Sequence, residues 1–284
     1  MLISGIEALR AAAEGSYALP AINYINMEHL QAIIAAAEEL RAPIVIQTSQ
    51  NAIDYAGFEY LRDIGVGAAQ RAKVPVALHL DHGKDLALNM RCIRYGWTSV
   101  MMDASLLPFE ENVAAVREVT RAAHCLDISV EAELGFIGGK EGDADAGDIY
   151  TKAEDACRFF DESGCDSLAI AVGTQHGLYK GEVKIDYQRI REIKEAVGGR
   201  PLVLHGTSFV PLEMVAQAID CGINKVNFDS ELKMAGMKAI RGYLAENPDA
   251  YDLRKMNRPM MAAMKEVAME KIRICKAEGK SWLK

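Results

Sequence analysis

Short apolar runs recur along the chain, separated by longer stretches in which apolar residues return every three or four positions. The short runs lie at 18–23, 43–49, 76–82, 99–103, 129–134, 167–172, 202–205 and 225–228. Each has the length of a strand, and most are nearly continuous in Val, Ile, Leu, Ala and Met, as expected for strands covered on both faces. The longer stretches, such as 28–40, 110–124, 153–163 and 187–197, carry helical periodicity. Strand and helix alternating eight times predict a parallel sheet closed on itself, a single (β/α)8 TIM barrel of the α/β class.

The punctuation agrees with that count. Gly96, Gly164 and Gly222 fall after helical segments and before strands, where glycine ends a helix at little steric cost. Beyond the eighth strand, 231–244 and 259–276 predict two extra C-terminal helices, with Asn247, Pro248 and Asp249 as the break between them. No linker or low-complexity tract divides the chain, so residues 1–284 are expected to form one domain.

Composition narrows the function classes. Half of the residues are hydrophobic and a quarter are charged, with a formal net charge of -8. That balance, without a block of Lys and Arg, argues against nucleic acid as a partner. The first twenty residues lack a basic segment followed by an apolar core, and no apolar run reaches membrane-spanning length, so no membrane partner is expected and the chain reads as cytoplasmic. Six cysteines stand apart without paired spacing, which fits free thiols in a reducing compartment.

In such a barrel the chemistry lies where strands end and the following loops begin. Here Asn23 closes the first strand, Ser49 the second, Asp81 and His82 the third and Asp103 the fourth. Glu133 nearly closes the fifth, His176 follows the sixth, His205 ends the seventh and Asn227 lies near the end of the eighth. Strands must stop somewhere, which accounts for one or two polar ends but not for eight. His82, His176 and His205 come from three different strands, and three histidines with an open position form a catalytic zinc arrangement. His79 reads as a packed interior histidine, and His29 and His124 as structural or solvated.

Three loops stand out on the same face. Residues 135–148, GFIGGKEGDADAGD, are rich in glycine and acid, and could form a surface loop or a lid carrying Glu141. His205-Gly206-Thr207-Ser208 and Asn227-Phe228-Asp229-Ser230 follow strands seven and eight, a frequent phosphate site in barrels. Asp229 and Ser230 are also good helix N-caps, and the two roles are compatible.

At this point the chain resembles the class II fructose-bisphosphate and tagatose-bisphosphate aldolases over essentially its whole length. The matching segments, in order, are ALHLDHG, SVMMDAS, SVEAELGFIGGKEGD, AIAVGTQHGLY, PLVLHGTS and INKVNFDSEL. The compact length and the segments AVGTQHGLY and ELGFIGG look more like the tagatose-type branch. The resemblance implies catalytic zinc on His82, His176 and His205, with Asp103 and Glu133 able to hold a second cation. It implies Asp81 as the acid/base at the aldehyde oxygen and Glu141 as the mobile-loop base. Gly177, Gly206 and Ser208, with a monovalent cation (Na+ or K+) nearby, match the site for dihydroxyacetone phosphate. Asn227, Asp229 and Ser230 match the strand-eight segment holding the same moiety, and Asn23, Ser49 and Thr207 complete the expected substrate contacts. The family usually has a small residue at Thr207 and often glycine or a small polar residue at Phe209, so the phosphate pocket is expected to be reshaped here.

The expected activity is reversible aldol cleavage of a ketose 1,6-bisphosphate, with a small phosphorylated sugar as partner and a homodimer or homotetramer as the assembly. A Schiff-base mechanism would need a lysine in mid-strand, and Lys225 reads as the N-terminal end of its strand. A metal is therefore expected as the electron sink. The alternatives are a same-family aldolase acting on another ketose 1-phosphate, and a sugar-phosphate-binding barrel without catalysis. An amidohydrolase-type barrel would want a His-x-His pair where this chain has Ala21-Ile22-Asn23.

Overall fold

The computed structural model describes residues 1–137, 150–177 and 183–283. Eight parallel strands close in sequence order: β1 (Leu19–Asn23), β2 (Ile44–Ser49), β3 (Val76–Gly83), β4 (Ser99–Met102), β5 (Ser129–Leu134), β6 (Ser167–Ile170), β7 (Leu202–Leu204) and β8 (Ile223–Phe228), which pairs back onto β1. The expected (β/α)8 barrel is therefore the architecture observed. All eight expected strands are present, and no end is shifted by more than two residues.

Among the described residues the helices are α1 (Gly5–Gly15), α2 (Met27–Glu39), α3 (Gln50–Ala56), α4 (Phe58–Arg71), α5 (Leu86–Arg94), α6 (Phe109–His124), α7 (Ala153–Ser163), α8 (Tyr187–Ala196), α9 (Leu212–Asp220), α10 (Ser230–Glu246) and α11 (Leu253–Ile274). Their starts are written locally. Side-chain oxygens of Asn26, Ser49, Asp85 and Asp186 accept hydrogen bonds from His29, Ala52, Leu88 and Arg189 backbone N–H groups, capping α2, α3, α5 and α8. Gly164 ends α7 in the left-handed conformation expected of it.

Two expectations require correction. The last helix starts at Leu253, ahead of Pro259, because the Asp252 side chain caps it by accepting from Arg254 N and proline sits within the helix. The eighth strand starts at Ile223, which makes Lys225 a mid-strand residue. The expected break between the C-terminal helices falls where it was read, and α10 and α11 pack against each other with Met260 and Met264 over Gly236.

The strands bury apolar residues outward, against the helices, while much of the lumen is polar. Gln47, His79, Glu131, Ser129 and Lys225 are all buried. They face inward, because Lys225 of β8 reaches Glu131 of β5 at 2.9 Å although these strands are not neighbours. Barrel interiors are more often filled by branched apolar side chains. In the lower lumen Ser129 Oγ donates to Ser99 Oγ at 2.8 Å, and Ser99 meets His79 Nδ1 at 2.7 Å, so His79 is packed as expected.

The outer shell is conventional. Phe159 of α7 is fully buried and meets Phe109 of α6 edge to face at 5.7 Å. Phe159→Ala should destabilise the fold by about 3–5 kcal/mol through lost burial and the cavity left behind. A denaturant midpoint indistinguishable from that of the parent chain would contradict this packing.

Candidate active site

The top of β3 departs from regular strand geometry. Its register against β4 shifts between Leu80 and Gly83. His82 has φ 50, a left-handed conformation that strains a non-glycine residue by about 1–3 kcal/mol. Gly83 must be glycine, since a Cβ there would lie 2.7 Å from the Met101 carbonyl oxygen. The irregularity turns the His82 ring into the barrel mouth, a frequent use of bulges beside active sites.

His82 Nδ1 lies 2.8 Å from Asp103 Oδ2. An ionised carboxylate only accepts, so Nδ1 carries the hydrogen and Nε2 presents its lone pair inward. Asp103 is itself held by Ser105 Oγ, which donates to Oδ1 at 2.7 Å. The same logic applies to His205, whose Nε2 donates to Glu131 Oε1 at 2.9 Å and leaves Nδ1 unprotonated, with a lone pair that can coordinate. His205 Nδ1 and His82 Nε2 are 3.2 Å apart, and Glu133 Oε2 lies 3.5 Å from His205 Nδ1.

This donor set fits a metal ion. Two nitrogens bound to one ion at about 2.0–2.1 Å in tetrahedral geometry lie about 3.3 Å apart. Glu133 Oε2 is buried without a hydrogen-bond partner, and the His176 ring is centred 5.0 Å from that of His82. Ligand atoms of His82, Glu133, His176 and His205 all lie within 4.8 Å of one another. Electrostatics agree. Burial pushes His82 down, but Asp81, the Asp103 hydrogen bond and Glu133 outweigh it and raise its pKa to about 10. Glu133 is pushed up to about 8, by burial and then by the Asp103 carboxylate. The carboxylates that raise His82 would equally favour a cation in exchange for the Nε2 proton, while burial, His82 and Lys225 push His205 well below its ordinary value and keep that imidazole neutral.

Beside the cluster, Asp81 is clamped on both oxygens. Asn23 Nδ2 donates to Oδ2 at 2.8 Å and Asn227 Nδ2 to Oδ1 at 2.9 Å. Gln47 Nε2 donates in turn to Asn23 Oδ1 at 2.7 Å. Burial alone would raise the Asp81 pKa, yet His82, His205, Lys225 and the Asn23 hydrogen bond hold it below the usual carboxylate value.

These groups line a cavity of about 440 Å³ at the C-terminal mouth of the barrel. Asn23, Ser49, Asp81, His82, Asp103, Glu133 and His176 line it together with Gly177, Gly206, Thr207, Ser208, Asn227, Asp229 and Ser230. Gly206 has φ 65, and a Cβ would meet the Gln175 backbone at 2.7 Å, so the loop after β7 closes tightly on the one after β6. Asp229 occupies the N-cap position of α10 but makes no side-chain cap there, contrary to expectation; it pairs with Lys233 at 2.6 Å. The α10 N-terminus therefore faces the cavity without a capping side chain. Thr207 lines the cavity with its hydroxyl turned to the Asn227 carbonyl at 2.5 Å, whereas Phe209 is not part of the lining.

The family model for fructose-bisphosphate aldolase class-II matches residues 4–280. The chain belongs to the class II fructose-bisphosphate aldolase family. This aldolase is 42% identical over 281 residues to the D-tagatose-1,6-bisphosphate aldolase subunit GatY of Klebsiella oxytoca, covering 98% of this chain and 99% of the relative. Among solved structures it is similar to the YdjI aldolase of Escherichia coli K12, with a TM-score of 0.89 and 36% identity over 99% of this chain and 100% of that one. Membership makes it a carbon–carbon lyase of a family that generally depends on metal.

The described residues expected at the site of this aldolase all line one cavity, with the exception of His205, which lies buried just beneath it. Glu141 falls outside the described residues. Sequence reasoning missed the supporting layer of Gln47, Ser105, Glu131 and Lys225. Strand alternation could have found three of them, since Gln47, Glu131 and Lys225 each precede an expected site residue, Ser49, Glu133 and Asn227, by two positions. Because Asp103 orients His82, Asp103→Ala should weaken divalent-metal binding by about 10–100-fold. Competition with a fluorescent chelator measures this, and unchanged affinity would remove Asp103 from that role.

Proposed function

We propose that this aldolase catalyses reversible cleavage of a ketose 1,6-bisphosphate of tagatose or fructose type to dihydroxyacetone phosphate and an aldehyde such as glyceraldehyde 3-phosphate. The observation that carries the reading is Asp81, clamped by two amides beside the histidine cluster in one cavity. A proton-transfer group must be held in place next to the group that polarises the substrate. The name of the Klebsiella relative supports the tagatose-type substrate.

Zinc on His82, His176 and His205 supplies Lewis acidity toward a carbonyl oxygen when bound. Glu133 and Asp103 are the carboxylates for a second cation. Asp81 gives a proton to the aldehyde oxygen during condensation and takes it back from the hydroxyl during cleavage. Glu141, matched by resemblance, removes the proton from the dihydroxyacetone phosphate carbon. Gly177, Gly206 and Ser208, with Na+ or K+ nearby, and Asn227, Asp229 and Ser230 hold the phosphate end. The N-terminus of α10 adds a positive dipole there. Asn23, Ser49 and Thr207 complete the contacts.

A second reading, cleavage of another ketose 1-phosphate, draws support from the apolar Leu106, Leu107, Phe136 and Ile137 on the cavity wall. We take residues 1–284 as one catalytic domain in the cytoplasm, in keeping with six unpaired cysteines. Exposed Met234, Met237 and Tyr251 offer apolar surface for a homodimer or homotetramer.

Chelation should abolish activity and zinc should restore it. Dialysed, metal-free enzyme that remains active would defeat the reading, as would irreversible inactivation by borohydride with substrate. Ser208→Glu should weaken dihydroxyacetone phosphate binding by charge repulsion. An unaltered affinity in the folded variant would move the phosphate elsewhere.

Asp81→Asn and Glu141→Gln should fail differently. Metal-loaded Asp81→Asn should still exchange a dihydroxyacetone phosphate proton with solvent while cleavage falls by about 100-fold or more. Glu141→Gln should lose exchange as well. Normal cleavage by the first variant, or wild-type exchange by the second, would overturn the assignment. Cleavage assays across tagatose and fructose bisphosphates and ketose 1-phosphates decide the substrate.

A further inference from the structure

Lys225 does not line the cavity, yet its ammonium sits below it at the meeting point of two site elements. The chain delivers it from mid-β8, and its four-carbon stem crosses the lumen to Glu131 on β5, with Nζ 2.9 Å from Oε2 and 3.1 Å from Oε1. Both side chains are nearly excluded from solvent, at 3% and 2% exposure. The same ammonium donates to Asn227 Oδ1 at 2.7 Å. Glu131 Oε1 accepts from His205 Nε2, and Asn227 Nδ2 donates to Asp81 Oδ1.

We propose that Lys225 is a positioning residue, whose ammonium fixes the Asn227 amide with its nitrogen on Asp81 and the Glu131 carboxylate on His205. The two ends of an asparagine amide have the same shape, so packing cannot choose between them; only hydrogen-bonding partners can. At Asn227 those partners conflict. Asp81 demands the nitrogen end, but His205 Nε2, a donor lying 3.1 Å from Asn227 Nδ2, would welcome the oxygen end instead. Lys225 has three donors and no acceptor, so turning the amide would bring N–H groups against its ammonium. The lysine removes the alternative. Glu131 is held likewise, because its charge, buried without Lys225, would lack a compensating cation.

The inference rests on the role given above to Asp81. The test uses the Lys225→Met/Glu131→Gln pair, which removes both buried charges while leaving a side-chain amide oxygen on β5 to accept from His205. We expect a folded enzyme that binds zinc, with kcat reduced by about tenfold or more. In an Asn227→Ala background the same pair should cost less than about threefold, since the lysine acts through that amide. Equal losses in both backgrounds, or an unchanged kcat, would overturn the proposal.

Should the pair fail to fold, neutron diffraction from the zinc-loaded wild-type enzyme decides. It should show Asn227 deuterons on Asp81 and the His205 deuteron on Nε2. A reversed amide, or a deuteron on His205 Nδ1, refutes the proposal whatever Asp81 does. Loss of activity in Asp81→Asn without loss in the charge-removed pair would sink Lys225 alone and leave the aldolase mechanism standing.

Discussion

The constraint on which the site depends is that polar groups inside a closed barrel have little water to turn to, so they must satisfy one another. Glu131 and Lys225 meet across the lumen, and neither could be buried there without the other. Around that pair the hydrogen bonds pass upward to His205 and Asn227, and from Asn227 to Asp81. Each donor in the chain finds an acceptor. At the mouth of the barrel His205 Nδ1 lies 3.2 Å from His82 Nε2 and 3.5 Å from Glu133 Oε2. Glu133 Oε2 is buried there without a hydrogen-bond partner, and the atoms gathered around it suit a cation.

The scaffold concentrates strain at the same place. His82 is held in the left-handed region beside a register shift, and Gly83 accepts a close approach that a side chain would forbid. Since Asp81 beside it faces the lumen, regular strand alternation would turn the ring outward, toward the helices, instead of into the mouth. Helices packed through residues such as Phe159 stabilise the barrel well away from this point, so the distortion is carried by a frame that does not share it.

The fold was legible because most elements were announced by their own residues: apolar runs for strands, periodic stretches for helices, and Gly96 or Gly164 at their ends. The site was legible to the extent that polar residues fell at strand ends, since the barrel converts that position into proximity. Where the reading failed, the missing information was which partner a side chain takes. Lys225 looked like a strand terminus because Asn224, polar and bound to Lys194 at 2.6 Å, hid the strand's first residues. Glu131 looked like one more charge, because its partners lie 74 and 94 residues away in sequence. Asp229 is an ideal cap by type, yet Lys233 one turn on draws its carboxylate away. Composition and spacing do not encode which of two eligible partners a side chain chooses.

The clamp on Asp81 joins β1, β3 and β8, and β8 is the strand whose pairing with β1 completes the ring. During synthesis β8 is the last strand to be made, so a nascent seven-strand sheet holds His82 and His205 but lacks Asn227 and Lys225. Domains generally fold as units, with the N-terminal portion emerging first. Closure of the ring and completion of the clamp on Asp81 are thus a single event.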